Sequence, residues 1–282
     1  MKIGFIGTGW IGKNYALDFT ERGYDVTSYS LEPEYKKNKD KISKCDIVFI
    51  AVPTPTTPKG FDDSIIRSVL GLVGKGKIAV LKSTIVPGKT KELQKKFPNI
   101  TLLYSPEFLS EATAKFDTSN PFSSIVGFSK ETKIQKEACQ KVLSILPKAP
   151  FSLVSSSTEA EIIKYTHNTS GFVQIIFFNM IYDLSRKLGC NWKTIHKAII
   201  ADPFMSHKYA QPIHKSGRGA GGHCFIKDFE AFHRLYEKLF SNDKSGSAIF
   251  RENIKKNIEL LTRTKKDLGL LRGVYGDDII KK

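Results

Sequence analysis

A chain of 282 residues and 31.6 kDa is too long for one small module and fits one large domain or two smaller ones. Hydrophobic residues at 40% and aromatics at 11% supply a packed core, which excludes wholesale disorder. The formal charge of +16 is almost all lysine (36 Lys to 8 Arg), dispersed in pairs such as Lys36-Lys37 and Lys95-Lys96. No RRM, helix-turn-helix or zinc-finger pattern accompanies it, so it reads as a solvated surface and nucleic acid is not expected as a partner.

In chain order, residues 1–12 are an apolar run broken by glycines, which reads as a buried strand and turn and not as a secretory leader. Strands are expected at 2–6, 25–29, 47–52, 77–81, 101–104, 123–127 and 151–154, with helices between them at 11–22, 63–73, 90–96 and 131–146. Near-continuous apolar strands alternating with helices argue for a parallel sheet covered on both faces. Ser157-Thr158-Glu159-Ala160-Glu161 then opens a long helix with a cap-like start, and its apolar spacing runs to Leu188 before Gly189. Further helices are expected at 192–200, 229–240 and 248–261, with no strand in this half. The apolar stretch 171–182 is interrupted by Gln174 and Asn179 and falls short of the roughly 20 residues of a membrane span, so no membrane partner is expected. Cys45, Cys139, Cys190 and Cys224 show neither zinc nor disulfide spacing. No metal and a reducing, cytoplasmic setting are expected. The division that follows is 1–155, 156–262 and a charged tail, 263–282.

Gly7-Thr8-Gly9-Trp10-Ile11-Gly12 is a G-x-G-x-x-G directly after the first strand and at the start of the first helix. The first glycine permits the tight turn, the second lets backbone approach a pyrophosphate, and the third allows close helix–strand packing. A dinucleotide is the expected cofactor. The acid that usually ends the second strand should fall near residue 30, where Ser30 stands. Nothing there repels a 2′-phosphate, which leaves NADP open beside NAD.

The third and fourth strands end in Ala51-Val52-Pro53-Thr54-Pro55 and Lys82-Ser83-Thr84-Ile85-Val86-Pro87-Gly88, where clefts open in such sheets. The fifth ends in Ser105-Pro106-Glu107-Phe108-Leu109-Ser110-Glu111. On a helical turn Glu107 and Glu111 would share a face as a general-base pair; otherwise they are two solvated acids. Lys164 and Asn168 share a face of the long helix, either to stabilise an oxyanion or as a solvent-facing stripe. In Gly217-Arg218-Gly219-Ala220-Gly221-Gly222-His223-Cys224-Phe225-Ile226-Lys227-Asp228, four glycines make a flexible loop that presents one thiol at a helix start. Lys227 and the helix terminus would favour its thiolate, a nucleophile.

Taken together, GTGWIG, AVPTP, KSTIVPG, SPEFLSE, AEIIKYTHN and GRGAGGHCFIKD resemble, in order and spacing, the UDP-glucose/GDP-mannose dehydrogenase family over residues 1 to about 260. The resemblance implies a Rossmann-type domain followed by an all-helical dimerisation domain. It implies a nucleotide-sugar 6-dehydrogenase that oxidises a C6 alcohol to a carboxylate with two NAD per turnover. It makes Cys224 the nucleophile, Lys164 and Asn168 the oxyanion pair, and Asp228 the acid/base partner on an ordered water. Thr84 and Glu111 would hold water, and Glu107 would serve thioester hydrolysis. It further implies a cofactor site of Gly7, Gly9, Trp10, Ile11, Gly12, Ser30, Val52, Pro53, Thr54, Ser83, Thr84, Glu111 and Lys227. The substrate would meet Phe108, Leu109, Lys164, Asn168, Lys208, Arg218, Gly219 and Gly221.

The chain also departs from the family. Besides Ser30, Ile226 replaces a common proline, and Phe204 stands where an arginine usually reaches a neighbouring subunit's substrate. The loop from there to Cys224 is longer, and the family's C-terminal domain has no counterpart in this sequence. A homodimer through the helix at 158–188 is therefore expected, with Lys208, Lys215 and Arg218 supplying phosphate contacts. UDP-glucose to UDP-glucuronate is the first candidate reaction. A two-electron dehydrogenase of the 3-hydroxyacid or 6-phosphogluconate type, or a non-catalytic dinucleotide-binding remnant, remain the alternatives.

Overall fold

The structure, a computed structural model, describes residues 1–215 and 217–280. Ser216 of the lysine-rich loop and the last two residues of the expected tail lie outside the described residues. The chain forms two compact units, Met1–Thr54 with Asp62–Lys164, and Pro55–Phe61 with the chain from Tyr165 onward.

The elements of the first stretch run β1 (Lys2–Ile6), α1 (Trp10–Glu21), β2 (Asp25–Tyr29), α2 (Pro33–Lys36), β3 (Ile47–Ile50), β4 (Thr56–Thr57), β5 (Gly60–Phe61) and α3 (Ser64–Leu70). They continue with β6 (Ile78–Leu81), α4 (Lys89–Lys96), β7 (Thr101–Tyr104), α5 (Ala114–Ser119), β8 (Ser123–Phe128), α6 (Lys133–Ile145) and β9 (Phe151–Ser156). Seven of these strands form one sheet in the order β2-β1-β3-β6-β7-β8-β9, parallel except where β8 runs against β7. The central strands are apolar because both faces are covered; all four residues of β3 are buried. Phe5 and Phe49 stack at 5.2 Å on the face that Phe19 of α1 closes edge-on at 5.5 Å. In register, Ile6, Ile50, Leu81 and Tyr104 stand side by side at the ends of β1, β3, β6 and β7. The loops that follow these residues therefore leave one sheet edge together, the place where open parallel sheets bind ligands.

The second stretch holds α7 (Ser157–Lys187), α8 (Trp192–Ala201), β10 (Ile213–His214), β11 (Gly217–Arg218), α9 (Gly222–Leu239), α10 (Lys244–Arg263) and α11 (Leu268–Tyr275). Its core includes Phe172 of α7 stacked on Phe229 of α9 at 3.9 Å. Against the expectation of no strand in this half, β10 pairs with β11; β4 pairs with β5 in the 55–61 ribbon, and both are two-residue antiparallel ladders too short to leave an alternation in the sequence. The 55–61 ribbon belongs with this unit because Thr56 Oγ1 donates to Lys227 O at 2.9 Å and Arg234 donates to Thr57 O at 2.8 Å. The division between units falls inside α7, nine residues past the expected boundary, because the helix runs unbroken from Ser157.

Two further readings are corrected. Helix α9 begins at Gly222, not at 229, so Cys224 lies in its first turn. The stretch expected as a charged tail folds: Leu271 and Val274 of α11 are buried with Ile226 and Leu261. Its charges flank the amphipathic run LGLLRGVY, whose inward side chains recur at helical spacing. Among the described residues, no helix is long and apolar enough to cross a membrane.

Candidate active site

In the first unit the glycine motif forms a cradle at the start of α1. Gly7 has φ +95°, and a β-carbon on Gly12 would lie 1.9 Å from Gly7 O, so both positions exclude side chains. A β-carbon on Gly9 would meet nothing within 4 Å, and no side chain caps α1. This open amide terminus suits a pyrophosphate. Thr8 Oγ1 donates to Glu32 Oε1 at 3.0 Å, and Ser30 Oγ accepts from Glu32 N at 3.2 Å. Glu32, which sequence reasoning passed over, thus brings a carboxylate to the glycine loop two residues beyond Ser30. Trp10 and Ile11 are half-buried, and Ile11 packs on the core of this unit.

The other strand-end loops are knitted to one another. Ser83 Oγ accepts from Val52 N at 2.9 Å and donates to Val52 O at 2.7 Å, and Thr54 Oγ1 donates to Thr84 O at 2.7 Å. Thr54, Ser83 and Thr84 are buried, whereas Pro53 is exposed. Glu107 is buried and paired: Lys164 Nζ lies 3.0 Å from its carboxylate and donates to its backbone carbonyl at 2.7 Å. Its other carboxylate oxygen accepts from Leu109 N at 2.8 Å. Glu111 is exposed, and 105–110 is not helical, so the expected helical face shared by Glu107 and Glu111 does not form. Phe108 faces the ammonium of Lys164 at 5.5 Å, while Leu109 packs on the core.

Two buried groups nearby carried no earlier role. Lys82 donates to Ser105 O and Oγ at 3.2 Å and sits 4.3 Å over the Tyr15 ring. Burial pulls its amine down to about 7, although Glu107 opposes the shift. Glu161, three residues before Lys164 on α7, accepts from Gly88 N, Thr90 N and Thr90 Oγ1 at 2.5, 2.9 and 2.5 Å. It caps α4, whose own N-cap is a glycine, and ties the first turns of α7 to the loop that carries Ser83 and Thr84.

In the second unit, Cys224 is the third residue of α9 and half-buried. Asp228, one turn on along the same face, is 1% exposed. One of its oxygens accepts from Asn168 Nδ2 at 2.7 Å, and the other is paired with Lys227 Nζ at 2.5 Å. Arg218 does not stand free for a phosphate. Its guanidinium donates to Asn179 Oδ1 and O at 2.8 and 2.9 Å and to Asp183 at 2.7 Å. Lys208 and Lys215 are exposed. The space at Gly219 and Gly221 is filled by the chain itself: β-carbons there would meet Asn257 Oδ1 at 2.9 Å and Asp267 Oδ2 at 2.0 Å.

The structure thus brings Glu107 to Lys164 in one unit and Asn168 to Lys227 and Asp228 in the other. Sequence reasoning missed Glu32, Lys82, Glu161 and the 257–267 segment. Lys82 carried a signal, a lysine closing an apolar strand; the 257–267 contacts carried none.

Residues 34–145 match the profile of the UDP-glucose/GDP-mannose dehydrogenase family, NAD binding domain, and residues 158–255 match its central domain. An uncharacterized protein of Methanocaldococcus jannaschii is 29% identical across 99% of this chain and 36% of its own length. The UDP-glucose 6-dehydrogenase of Rickettsia typhi is 26% identical across 91% of this chain and 67% of its own. The chain thus spans between about a third and two thirds of these relatives. A UDP-glucose dehydrogenase structure from the hyperthermophilic archaeon Pyrobaculum islandicum shares the fold, with TM-score 0.79 and 24% identity over 93% of this chain and 68% of that one.

The Glu161 cap makes stability depend on pH. Burial raises its carboxyl to about 7 from the usual 4.5, outweighing the donors on Thr90 and Gly88. The folded state therefore holds this proton when the unfolded chain has released it. The contribution is complete below about pH 4.5 and is lost as pH rises to about 7, by at most about 3 kcal/mol. Denaturant titrations from pH 4.5 to 8 should show that decline, and Glu161→Gln should flatten it; an unchanged slope in the variant would exclude Glu161 as its source.

Proposed function

Because the chain belongs to the UDP-glucose/GDP-mannose dehydrogenase family and carries its NAD binding and central domains, we propose that it oxidises the C6 alcohol of a nucleotide sugar to the carboxylate. UDP-glucose to UDP-glucuronate is the first candidate. The observation that carries this reading is Cys224 in the first turn of α9, one turn from a buried carboxylate held by Asn168 and Lys227. A simple two-electron dehydrogenase has no use for that thiol.

The alcohol loses a proton and a hydride to become an aldehyde. The Cys224 sulfur then adds to the aldehyde carbon, and the carbonyl oxygen takes the negative charge and then a proton. Loss of a second hydride, together with the proton on that oxygen, leaves a thioester. Water adds to it, the carbon–sulfur bond breaks, and the carboxylate departs from a restored thiolate. When bound, NAD supplies the acceptor for each hydride. In this reading Lys164 and Asn168 steady the oxyanion. Asp228 exchanges protons through an ordered water, Thr84 and Glu111 hold water, and Glu107 serves the hydrolysis. Gly7, Gly9 and Gly12 with the start of α1 fit the pyrophosphate, and Val52, Pro53, Thr54, Ser83, Thr84 and Lys227 are assigned to the rest of the cofactor.

Glu32 changes the cofactor reading. Its carboxylate, held at the glycine loop by Thr8, is in this reading the acceptor for an adenosine ribose hydroxyl; it would repel a 2′-phosphate, which favours NAD over NADP. The partner reading rests on α7, where Val173, Phe177, Met180 and Leu184 are each 41–55% exposed at helical spacing, with Leu188 next to them at 68%. Such a stripe suits a second copy of the chain, with Phe204 exposed on the same unit.

NADH formation measured with a panel of UDP- and GDP-sugars should single out one substrate, and Cys224→Ser should lose its turnover by orders of magnitude. Turnover retained by that variant would sink the covalent route and leave two-electron chemistry. Fluorescence titration should show Glu32→Ala weakening NAD by about 10- to 100-fold while NADP is spared, the value of one charged hydrogen bond. If both cofactors respond equally, the ribose assignment fails. Light scattering at micromolar concentration should give a dimer mass, which Phe177→Glu converts to a monomer; a monomeric wild type would refute the stripe's role.

A further inference from the structure

The four glycines before Cys224 predict a flexible loop, but its backbone is bonded almost group by group. Asn257 accepts from Ala220 N at 2.7 Å and donates to Ala220 O at 3.0 Å. Lys266 Nζ, on a buried side chain, donates to Gly219 O at 2.9 Å. Asp267 Oδ2 accepts from Gly222 N at 2.7 Å, and Thr264 Oγ1 accepts from Arg218 N at 3.1 Å. All of these side chains come from the end of α10 and the turn into α11.

Asp267 is the unusual member. It is the N-cap of α11, in a left-handed conformation at φ 54°, yet makes no side-chain capping bond to that helix. Its carboxylate instead takes the first amide of α9, whose own N-cap, Gly221, has no side chain to offer. A β-carbon on Gly221 would lie 2.0 Å from that carboxylate, so the glycine is what lets it approach. Each residue of a helix turns the side-chain direction by about 100°. Fixing Gly222 at the helix start therefore fixes where the third residue, Cys224, points.

We propose that Asn257, Lys266 and Asp267 are positioning residues for Cys224, a clamp from the C-terminal segment that sets the direction of the thiol through the backbone of residues 219–222. The proposal rests on the reading of Cys224 as nucleophile. Charged side chains on backbone groups make strong, directional bonds, which suits them to hold a glycine-rich segment that has no side chains of its own to pack. The clamp also places a carboxylate at the amide end of α9, where it offsets part of the positive field that would favour a thiolate.

The test separates reactivity from turnover. Asp267→Gly removes the carboxylate while the backbone keeps its left-handed conformation without strain, and Asp267→Asn keeps an acceptor there. Iodoacetamide labelling is read by peptide mass spectrometry as the ratio of Cys224 to exposed Cys190 in the same chain. Asp267→Gly should raise that ratio and lower kcat, each by about tenfold for one lost charge-assisted bond, with KM little changed. Asp267→Asn loses the charge but keeps the acceptor, so it should raise the ratio as Asp267→Gly does while keeping kcat near wild type. The clamp is overturned if Asp267→Gly leaves both readouts unchanged, or if Asp267→Asn loses as much kcat as Asp267→Gly. Should Asp267→Gly not fold, Gly221→Ala displaces the same bond from the other side and must reproduce the split; without it the proposal fails. Cys224→Ser tells the two ideas apart: turnover kept by that variant removes the nucleophile, and the labelling ratio then still supports or overturns the clamp.

Discussion

Ile6, Ile50, Leu81 and Tyr104 lie level across four parallel strands, and that common register determines what the first unit can do. Because each strand stops at the same height, the glycine loop, the Ala51–Thr54 turn, the Lys82–Gly88 loop and the segment from Ser105 leave the sheet as neighbours. Short bonds then link them: Ser83 to Val52, Thr54 to Thr84, Lys82 to Ser105. A one-residue slip in any strand would reverse its side chains and turn apolar residues of that strand away from the core face they fill.

Within this frame two lysines are buried near one carboxylate. Lys164 holds Glu107 directly, whereas Lys82 has the Ser105 oxygens and the Tyr15 ring. Burying an amine costs several kcal/mol unless a partner compensates. The unequal partners explain why burial pulls Lys82 down to about 7. Burial thus favours the neutral form of this amine, against the pull of the Glu107 carboxylate.

The parallel sheet was legible because strands covered on both faces are written as apolar runs such as Ile47–Ile50, and the long helix because its cap and its period are both local. Contacts between distant segments were not legible. Glu32 was missed because an acid was sought at the strand end, while the chain turns for two more residues before this carboxylate reaches Thr8. The pairing of Glu107 with Glu111 failed because their spacing has meaning only on a helix, and the Glu107 carboxylate folds back on Leu109 N. The glycines ahead of Cys224 were read as a flexible loop that presents the thiol, yet at 219 and 221 they admit Asn257 and Asp267. The amphipathic run after 267 marks a helix, but nothing in it shows that Asp267 reaches back to residue 222.

The closeness of Gly221 to Asp267 has a consequence for how this chain can change. A larger residue at 221 is tolerable only once the side chain at 267 has been shortened or its backbone has left the left-handed region. The two positions are therefore free to vary only as a pair. In a library of variants, tolerance at 221 will be set by the residue at 267, and recombination between relatives that separates the glycine loop from the segment ahead of α11 will join halves never fitted to each other.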